Sequence, residues 1–175
     1  MALFERNKNV KADLIGEGLL RVEISMMDNV HHISTIFHIS FPERVIKHAE
    51  ADFKKAPYVK VCRQTGQRMK NLIGIGLNNN MEKGLTEAVI EAVGGKNGCS
   101  HLVDHTLEMA KTLVQFIDKS YNFPIGKYID DAPTMRKKVL EVYPQIKDMC
   151  WAYKDGNDHL FTSDIRCGLQ EDLVI

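Results

Sequence analysis

Two stretches in the first third of the chain alternate between apolar and polar residues. The apolar positions of the first stretch are Leu20, Val22, Ile24 and Met26, and the second stretch runs from residue 33 to residue 41. A period of two is typical of a strand with one buried face. A third strand is expected at 45–53, after a turn signal at Pro42. The pattern therefore predicts a three-stranded antiparallel meander between about Leu19 and Phe53.

Beyond Cys62 the apolar residues recur at the spacing of a helix. Three helices are predicted to cover one face of the sheet, at 64–73, 81–93 and 99–119. Asn80 is a suitable N-cap for the second of these helices, and Gly94-Gly95 a suitable C-terminal stop. The change from strands to helices predicts an α+β fold.

The last third of the chain is less regular and is predicted to be an extension packed on the core. A helix is expected from Asp131-Ala132-Pro133 to about Tyr143. The turn signal at 155–158 suggests a link between two short strands, Cys150–Tyr153 and His159–Thr162. We therefore divide the chain into a core domain, residues 1–120, and a C-terminal extension, residues 121–175.

Composition and charge exclude several classes of function. Lys and Arg together number 23, as do Asp and Glu, so the chain lacks the excess of positive charge that nucleic-acid binding favours. No apolar run approaches the ~20 residues needed to span a bilayer, and residues 1–11 contain no apolar signal core. The basic stretch at 136–138 is interpreted as a solvated helix face. These features predict a cytoplasmic protein that binds neither nucleic acid nor membrane.

The four cysteines are widely spaced, and no Cys-x-x-Cys pair occurs. In the cytosol thiols stay reduced, so disulfides are not expected. Cys99 opens the third helix two residues before His101, and the positive end of a helix dipole favours a thiolate. Cys62 lies where the preceding strand gives way to a helix. Such thiolates and imidazoles are ligands for Zn²⁺ or Fe²⁺.

Histidines in the first strand connection could complete this site. His31 and His32 are adjacent, so they point to opposite sides and at most one of them can face a given site. The predicted metal site contains Cys62, Cys99, His101 and either His31 or Asp28. If it binds a metal, the Sγ atoms of the two cysteines should lie within about 7 Å of each other.

Three alternatives remain open from the residues alone. Cys99 could be the nucleophile of a thiol enzyme, with His101 or His31 as the base. The cysteines could simply be packed in an interaction module without a cofactor. His101 and His105 share a helix face at i and i+4, as zinc-binding histidines do, but with Asp104 and Glu108 they also suit a solvated polar face.

Several motifs resemble an uncharacterised bacterial family with a domain of unknown function. The family typically reads Pro-Tyr, then Cys, then Leu-Val-Gly, then Gly-Cys-Thr-His-Leu, with an Asp and a His in the first strand connection. The matching residues here are Pro57-Tyr58, Cys62, Ile73-Gly74, Gly98-Cys99-Ser100-His101-Leu102, Asp28 and His31, with Asp104 at a usual acidic position. The resemblance covers about residues 1–120. His105 departs from the usual apolar residue, and the family implies no activity.

The order of elements is also similar to that of the NifU-type iron–sulfur scaffold proteins. Cys62 and the segment Cys99-Ser100-His101-Leu102 match two of their three cysteine positions, and His31 stands near the missing Cys-x-Asp. Two thiolates with two imidazoles suit Zn²⁺ or Fe²⁺ better than a cluster in assembly. The resemblance implies an accessory or assembly protein that handles metal or sulfur for a client metalloenzyme. A homodimer is a further expectation, from the frequency of homodimers among soluble proteins.

Overall fold

The structure is a computed structural model that describes residues 2–16, 18–40, 43–77, 83–120, 132–142 and 144–162. Contacts divide the chain into two compact units, Met1–Phe116 and Ile117–Ile175. The domain boundary at residue 120 stays a prediction.

The first unit contains an antiparallel sheet with four strands in the order β1-β2-β3-β4. The strands are β1 (Arg6–Gly16), β2 (Leu19–Asp28), β3 (His32–Ser40) and β4 (Val45–Lys55). The three predicted strands are present, but the prediction that the sheet has only three is wrong. The missed strand, β1, lies at the edge of the sheet and most of its residues are exposed, so its apolar alternation is short and limited to Val10, Ala12 and Leu14.

One face of the sheet carries the core. Alternate residues of β2 and β3 on this face are fully buried, among them Leu20, Val22, Ile24, Met26, Ile33, Phe37 and Ile39. From α3 (Ser100–Ser120), Leu102, Met109 and Leu113 are buried as well. Burial of each large apolar side chain stabilises the fold by ~1.5–3 kcal/mol. His105 of α3 contacts Thr35 on the core face of β3, so this helix lies against the core face of the sheet.

The other helices of the first unit are α1 (Val59–Gly66) and α2 (Lys83–Val93). The helix predicted at 64–73 is thus an α-helix that begins and ends earlier, followed by a 3-10 helix at Gln67–Leu72. Helix α2 ends directly before Gly94-Gly95, as predicted, and a second 3-10 helix spans Gly95–Asn97. The proposed N-cap, Asn80, lies outside the described residues.

The regular elements in the described part of the second unit are all helices, joined by turns and bends. It contains α4 (Ala132–Val142) and 3-10 helices at Pro144–Ile146, Trp151–Tyr153 and Asn157–Leu160. The helix prediction is confirmed over these residues, although Asp131 and Tyr143 lie outside them. The prediction of strands at Cys150–Tyr153 and His159–Thr162 is wrong.

Arg136 explains this difference. Its guanidinium is buried and donates hydrogen bonds to the carbonyls of Ala152 and Lys154, at 2.8 and 2.9 Å. It also pairs with Asp158 and stacks 5.1 Å from the ring centroid of Phe161. Arg136 therefore occupies backbone carbonyls that would otherwise be available for hydrogen bonds between the strands of a hairpin. The expectation that Arg136 is solvated is wrong.

Within the part of the chain that the structure describes, no helix combines the length and the apolar character needed to cross a membrane.

Candidate functional site

The connection between β2 and β3 is built around the carboxylate of Asp28. The Oδ1 atom accepts hydrogen bonds from the backbone N–H groups of Val30 and His31, at 2.8 and 2.6 Å. Asp residues favour such turns because the side chain can replace a backbone acceptor. The Nδ1 atom of His31 lies 3.2 Å from the same oxygen. The turn therefore fixes the His31 ring with its Nδ1 against a carboxylate.

Arg6 holds the other oxygen of Asp28. Its Nε and Nη2 atoms donate to Oδ2 at 2.9 and 2.7 Å, and the carboxylate is fully buried. Strand register explains the contact, because Arg6 is paired with Asp28 across β1 and β2. Burial alone would raise the pKa of Asp28. The backbone N–H groups of Val30 and His31, with Arg6 and the His31 ring, nevertheless hold this pKa well below its usual range.

His101, in the first turn of α3, lies against His31. The two ring centroids are 4.4 Å apart with the planes tilted by 48°. Burial lowers the pKa of His101, and the neighbouring His31 and Arg6 lower it further. Both effects favour the neutral form of His101, which carries a lone pair on one ring nitrogen. A neutral imidazole is the form that binds a metal or accepts a proton.

Cys99 completes this cluster at the N-terminus of α3. Its Sγ atom lies 3.7 Å from Nδ1 of His101, within reach of a weak S–H···N hydrogen bond. Its backbone N–H donates to the carbonyl of Val93, the last residue of α2, at 2.8 Å. A side chain at Gly98 would overlap that same carbonyl, so a residue without a Cβ is required just before the cysteine. This close approach of two helix ends positions the thiol.

One turn further along α3, a second pair of residues ties the helix to the sheet. His105 is fully buried, and its Nδ1 lies 3.0 Å from the hydroxyl of Thr35 in β3. Asp104 forms a 2.6 Å ion pair with Lys8 in β1, and half of its side chain is exposed. The expectation of a solvated polar face is thus met by Asp104 but is wrong for His105, whose burial lowers its pKa to about 4.

The predicted ligands are only partly assembled. His31, His101 and Cys99 are brought together, whereas Cys62 lies in α1, half-buried, with its N–H bonded to the Tyr58 carbonyl. In the described ranges, no group of three or more His, Cys, Asp and Glu side chains is placed so that it could hold a metal ion. The predicted separation of the Cys62 and Cys99 sulfurs stays a prediction.

Other histidines and cysteines lie elsewhere. His38 and His48 are cross-strand partners on the outer face of the sheet, with ring centroids 5.0 Å apart. Cys150 is exposed in the second unit, and Cys167 lies outside the described residues. Arg6 and Thr35 were missed as neighbours of the site. Arg6 could be found only by recognising β1, whose polar sequence conceals it.

Comparison with known proteins supports one assignment. No curated protein and no solved structure matches the chain. Residues 7–115 match the family described as a protein of unknown function (DUF2889). This range includes the β2–β3 connection, α1 and the N-terminus of α3, so the proposed ligands and Asp28 lie within it, and Arg6 lies one residue before it. The chain therefore belongs to the DUF2889 family, an uncharacterised domain family that spans its N-terminal unit.

Proposed function

We propose that this protein binds a transition-metal ion, Zn²⁺ or Fe²⁺, through Cys99, His101 and His31, with Cys62 as the fourth ligand. The observation that carries the proposal is the distance between Cys99 Sγ and His101 Nδ1. Ligands bonded to one tetrahedral Zn²⁺ at ~2.3 Å for sulfur and ~2.0 Å for nitrogen are about 3.5 Å apart. The observed 3.7 Å already suits such a chelate.

Asp28 supports His31 as the third ligand. Metal-binding histidines usually direct the second ring nitrogen towards a carboxylate, which fixes the ring and makes the free nitrogen more basic. His31 has this arrangement, since its Nδ1 faces Asp28 and its Nε2 remains for a metal. Metal binding requires His31 and Cys62 to turn their side chains towards the Cys99–His101 pair.

The role that follows is that of an accessory or assembly protein, which holds metal or sulfur for a client metalloenzyme in the cytosol. Two features support this role: the similarity in residue order to NifU-type scaffolds, and partial exposure of both cysteines. A half-open site with few ligands exchanges its metal more readily than a closed structural one.

A thiol enzyme is the second candidate, and the same contact between Cys99 and His101 favours it. A neutral imidazole beside a thiol at a helix N-terminus is the usual arrangement of an activated cysteine nucleophile. In this case His101 takes the proton of Cys99, and the negative charges of Asp28 and Asp104 favour the resulting imidazolium. Cys62 then has no role.

Elemental analysis of protein purified without chelator or affinity tag tests the first proposal. We expect about one Zn or Fe per chain, lost in Cys62→Ser, Cys99→Ser, His101→Ala and His31→Ala. His32→Ala and Cys150→Ser are matched controls and should retain the metal. Absence of metal, together with no binding of added Zn²⁺, would refute metal binding.

A measurement of thiol reactivity separates the remaining candidates. If Cys99 is a nucleophile, it should react with iodoacetamide much faster than the exposed Cys150 in metal-free protein, and His101→Ala should abolish the difference. If Cys99 reacts as slowly as Cys150, the remaining interpretation is a packed cysteine in an interaction module.

A further inference from the structure

Strand β1 ends the sheet, and its outer edge carries a charge pattern that is complementary to itself. On the outer face, Lys11 lies opposite Glu23 of β2, and Asp13 lies opposite Arg21. Lys11 and Asp13 are also paired with each other at 3.0 Å. Among the described residues no strand continues the sheet beyond β1. The unpaired edge of a long strand is a template for pairing with another chain.

We propose that two copies of this protein associate by pairing their β1 strands antiparallel, with Ala12 opposite Ala12. This register places Lys11 of each copy opposite Asp13 of the other. A row of alternating charge then crosses the whole interface, from Glu23 through Lys11 to Asp13 and Arg21 of the second copy. Opposite charges directly across a strand pair are stabilising and like charges destabilising.

The same register covers apolar residues that the single chain exposes. On the core face, Val10 of one copy meets Leu14 of the other, and 57% of Leu14 is exposed in the single chain. Ile15, 46% exposed, is brought opposite Asn9. Registers centred on Lys11 or Asp13 would oppose like charges instead. Charge and apolar contacts therefore select the same alignment.

We expect a second copy of the chain to bind this edge, because the charge pattern of β1 is complementary to itself under a two-fold rotation. Such an isologous contact closes at two subunits. Stable interfaces bury about 1,200–2,000 Å², and a single strand pair lies near the lower limit. The dimer is therefore expected to depend on concentration, and it joins the two sheets into one with eight strands.

Sedimentation equilibrium of the full chain over a wide concentration range tests the inference. The parent protein should pass from monomer to dimer. Lys11→Asp and Asp13→Lys should each raise the dissociation constant about tenfold or more. Lys47→Asp makes the same charge change on β4, at the opposite side of the sheet, and should leave the constant unchanged. Circular dichroism establishes that each variant is folded.

A charge exchange makes the test specific. The double variant Lys11→Asp/Asp13→Lys restores opposite charges between the two copies and should dimerise more tightly than either single variant. Lys11→Asp mixed with Asp13→Lys should form a heterodimer, because one carries only acidic and the other only basic residues at these two positions. A parent that remains monomeric, or a dimer that neither single substitution weakens, would overturn the proposal.

Discussion

The imidazole rings of His31 and His101 lie 4.4 Å apart, although His31 belongs to the β2–β3 connection and His101 to the first turn of α3. Each ring is fixed from a different direction. Asp28 holds His31 through Nδ1, and the start of α3 places His101 beside the thiol of Cys99. Two independent elements thus bring the two imidazoles close together, and the proposed metal site requires only that the side chains of His31 and Cys62 then turn towards Cys99 and His101.

The first prediction concerns the carboxylate behind His31. Asp28→Asn should lower the affinity for Zn²⁺ by about 10–100-fold, the usual effect of removing a partner that orients a metal-binding histidine. The amide oxygen of Asn can still accept the N–H bonds of Val30 and His31, so the turn should persist. What is lost is the negative charge facing His31 and Arg6.

Competition with a fluorescent zinc chelator measures this affinity. Asp104→Asn is the matched control, since Asp104 lies on the same helix as His101 but its carboxylate contacts Lys8 and is half exposed. It should change the affinity only a few-fold. An Asp28→Asn protein with parental affinity would remove His31 from the ligand set.

Much of the sheet was predictable because its inner strands bury one face. In β2 and β3 every second residue is buried, and all of these except Asp28 and Thr35 are apolar, so the sequence pattern marks the strands almost to the residue. Strand β1 was not predictable in this way. It lies at an edge, and its polar Asn7, Lys8 and Asn9 are all exposed.

The candidate site was predictable in part for a related reason. Cys99 and His101 are close in sequence, so their contact follows from the helix start. The contact with His31 depends on how α3 lies on the sheet, and local pattern does not specify that. His105 was misjudged because a polar residue occupies the apolar stripe of α3, between the buried Leu102 and Met109.

The second prediction concerns Gly98. Gly98→Ala should destabilise the protein by more than about 2 kcal/mol and disturb Cys99, because its Cβ would overlap the carbonyl of Val93. Gly84→Ala is the matched control. Among the described residues, no atom beyond the chain neighbours and the backbone of α2 itself lies within 4 Å of a Cβ there. Gly84 is inside α2, so alanine should stabilise by ~0.5–1 kcal/mol.

Urea denaturation of both variants measures the two changes in the free energy of unfolding. The critical result is that the same Gly→Ala substitution lowers the free energy of unfolding at position 98 and raises it at position 84. Equal effects at both positions would mean that the close approach of α2 and α3 at Gly98 does not constrain the chain.

The third prediction is a dependence of stability on pH through His105. Burial lowers the pKa of His105 to about 4 in the folded protein, and the nearby Lys8 contributes to the same shift. In the unfolded chain the pKa of this histidine is 6.5. Between these values the unfolded state binds the proton and the folded state does not. The free energy of unfolding should therefore fall as the pH drops from about 6.5 to 4, by roughly 3 kcal/mol from this group.

Thermal melts at several pH values isolate this contribution by comparison with His105→Gln, which retains a polar partner for Thr35 but does not titrate in this range. The variant should lose less stability than the parent on acidification. His32→Gln controls for removing a histidine from the sheet. Parallel curves for parent and His105→Gln would show that His105 is not held neutral by the fold.

The last prediction concerns the second unit. Arg136→Leu should destabilise this unit by about 2–5 kcal/mol, because it leaves the carbonyls of Ala152 and Lys154 without their donor and Asp158 without its cation. Lys137→Leu is the matched control, since Lys137 is the next residue of α4 and is exposed, so its loss should change stability by less than about 0.5 kcal/mol.

Limited proteolysis compares the stability of the second unit in the two variants. Arg136→Leu should be cleaved faster between α4 and Phe161, while cleavage within the first unit stays at the parental rate. Equal resistance of both variants would show that Arg136 does not hold the segment in its 3-10 conformation, and the failure to form the expected hairpin would then need another cause.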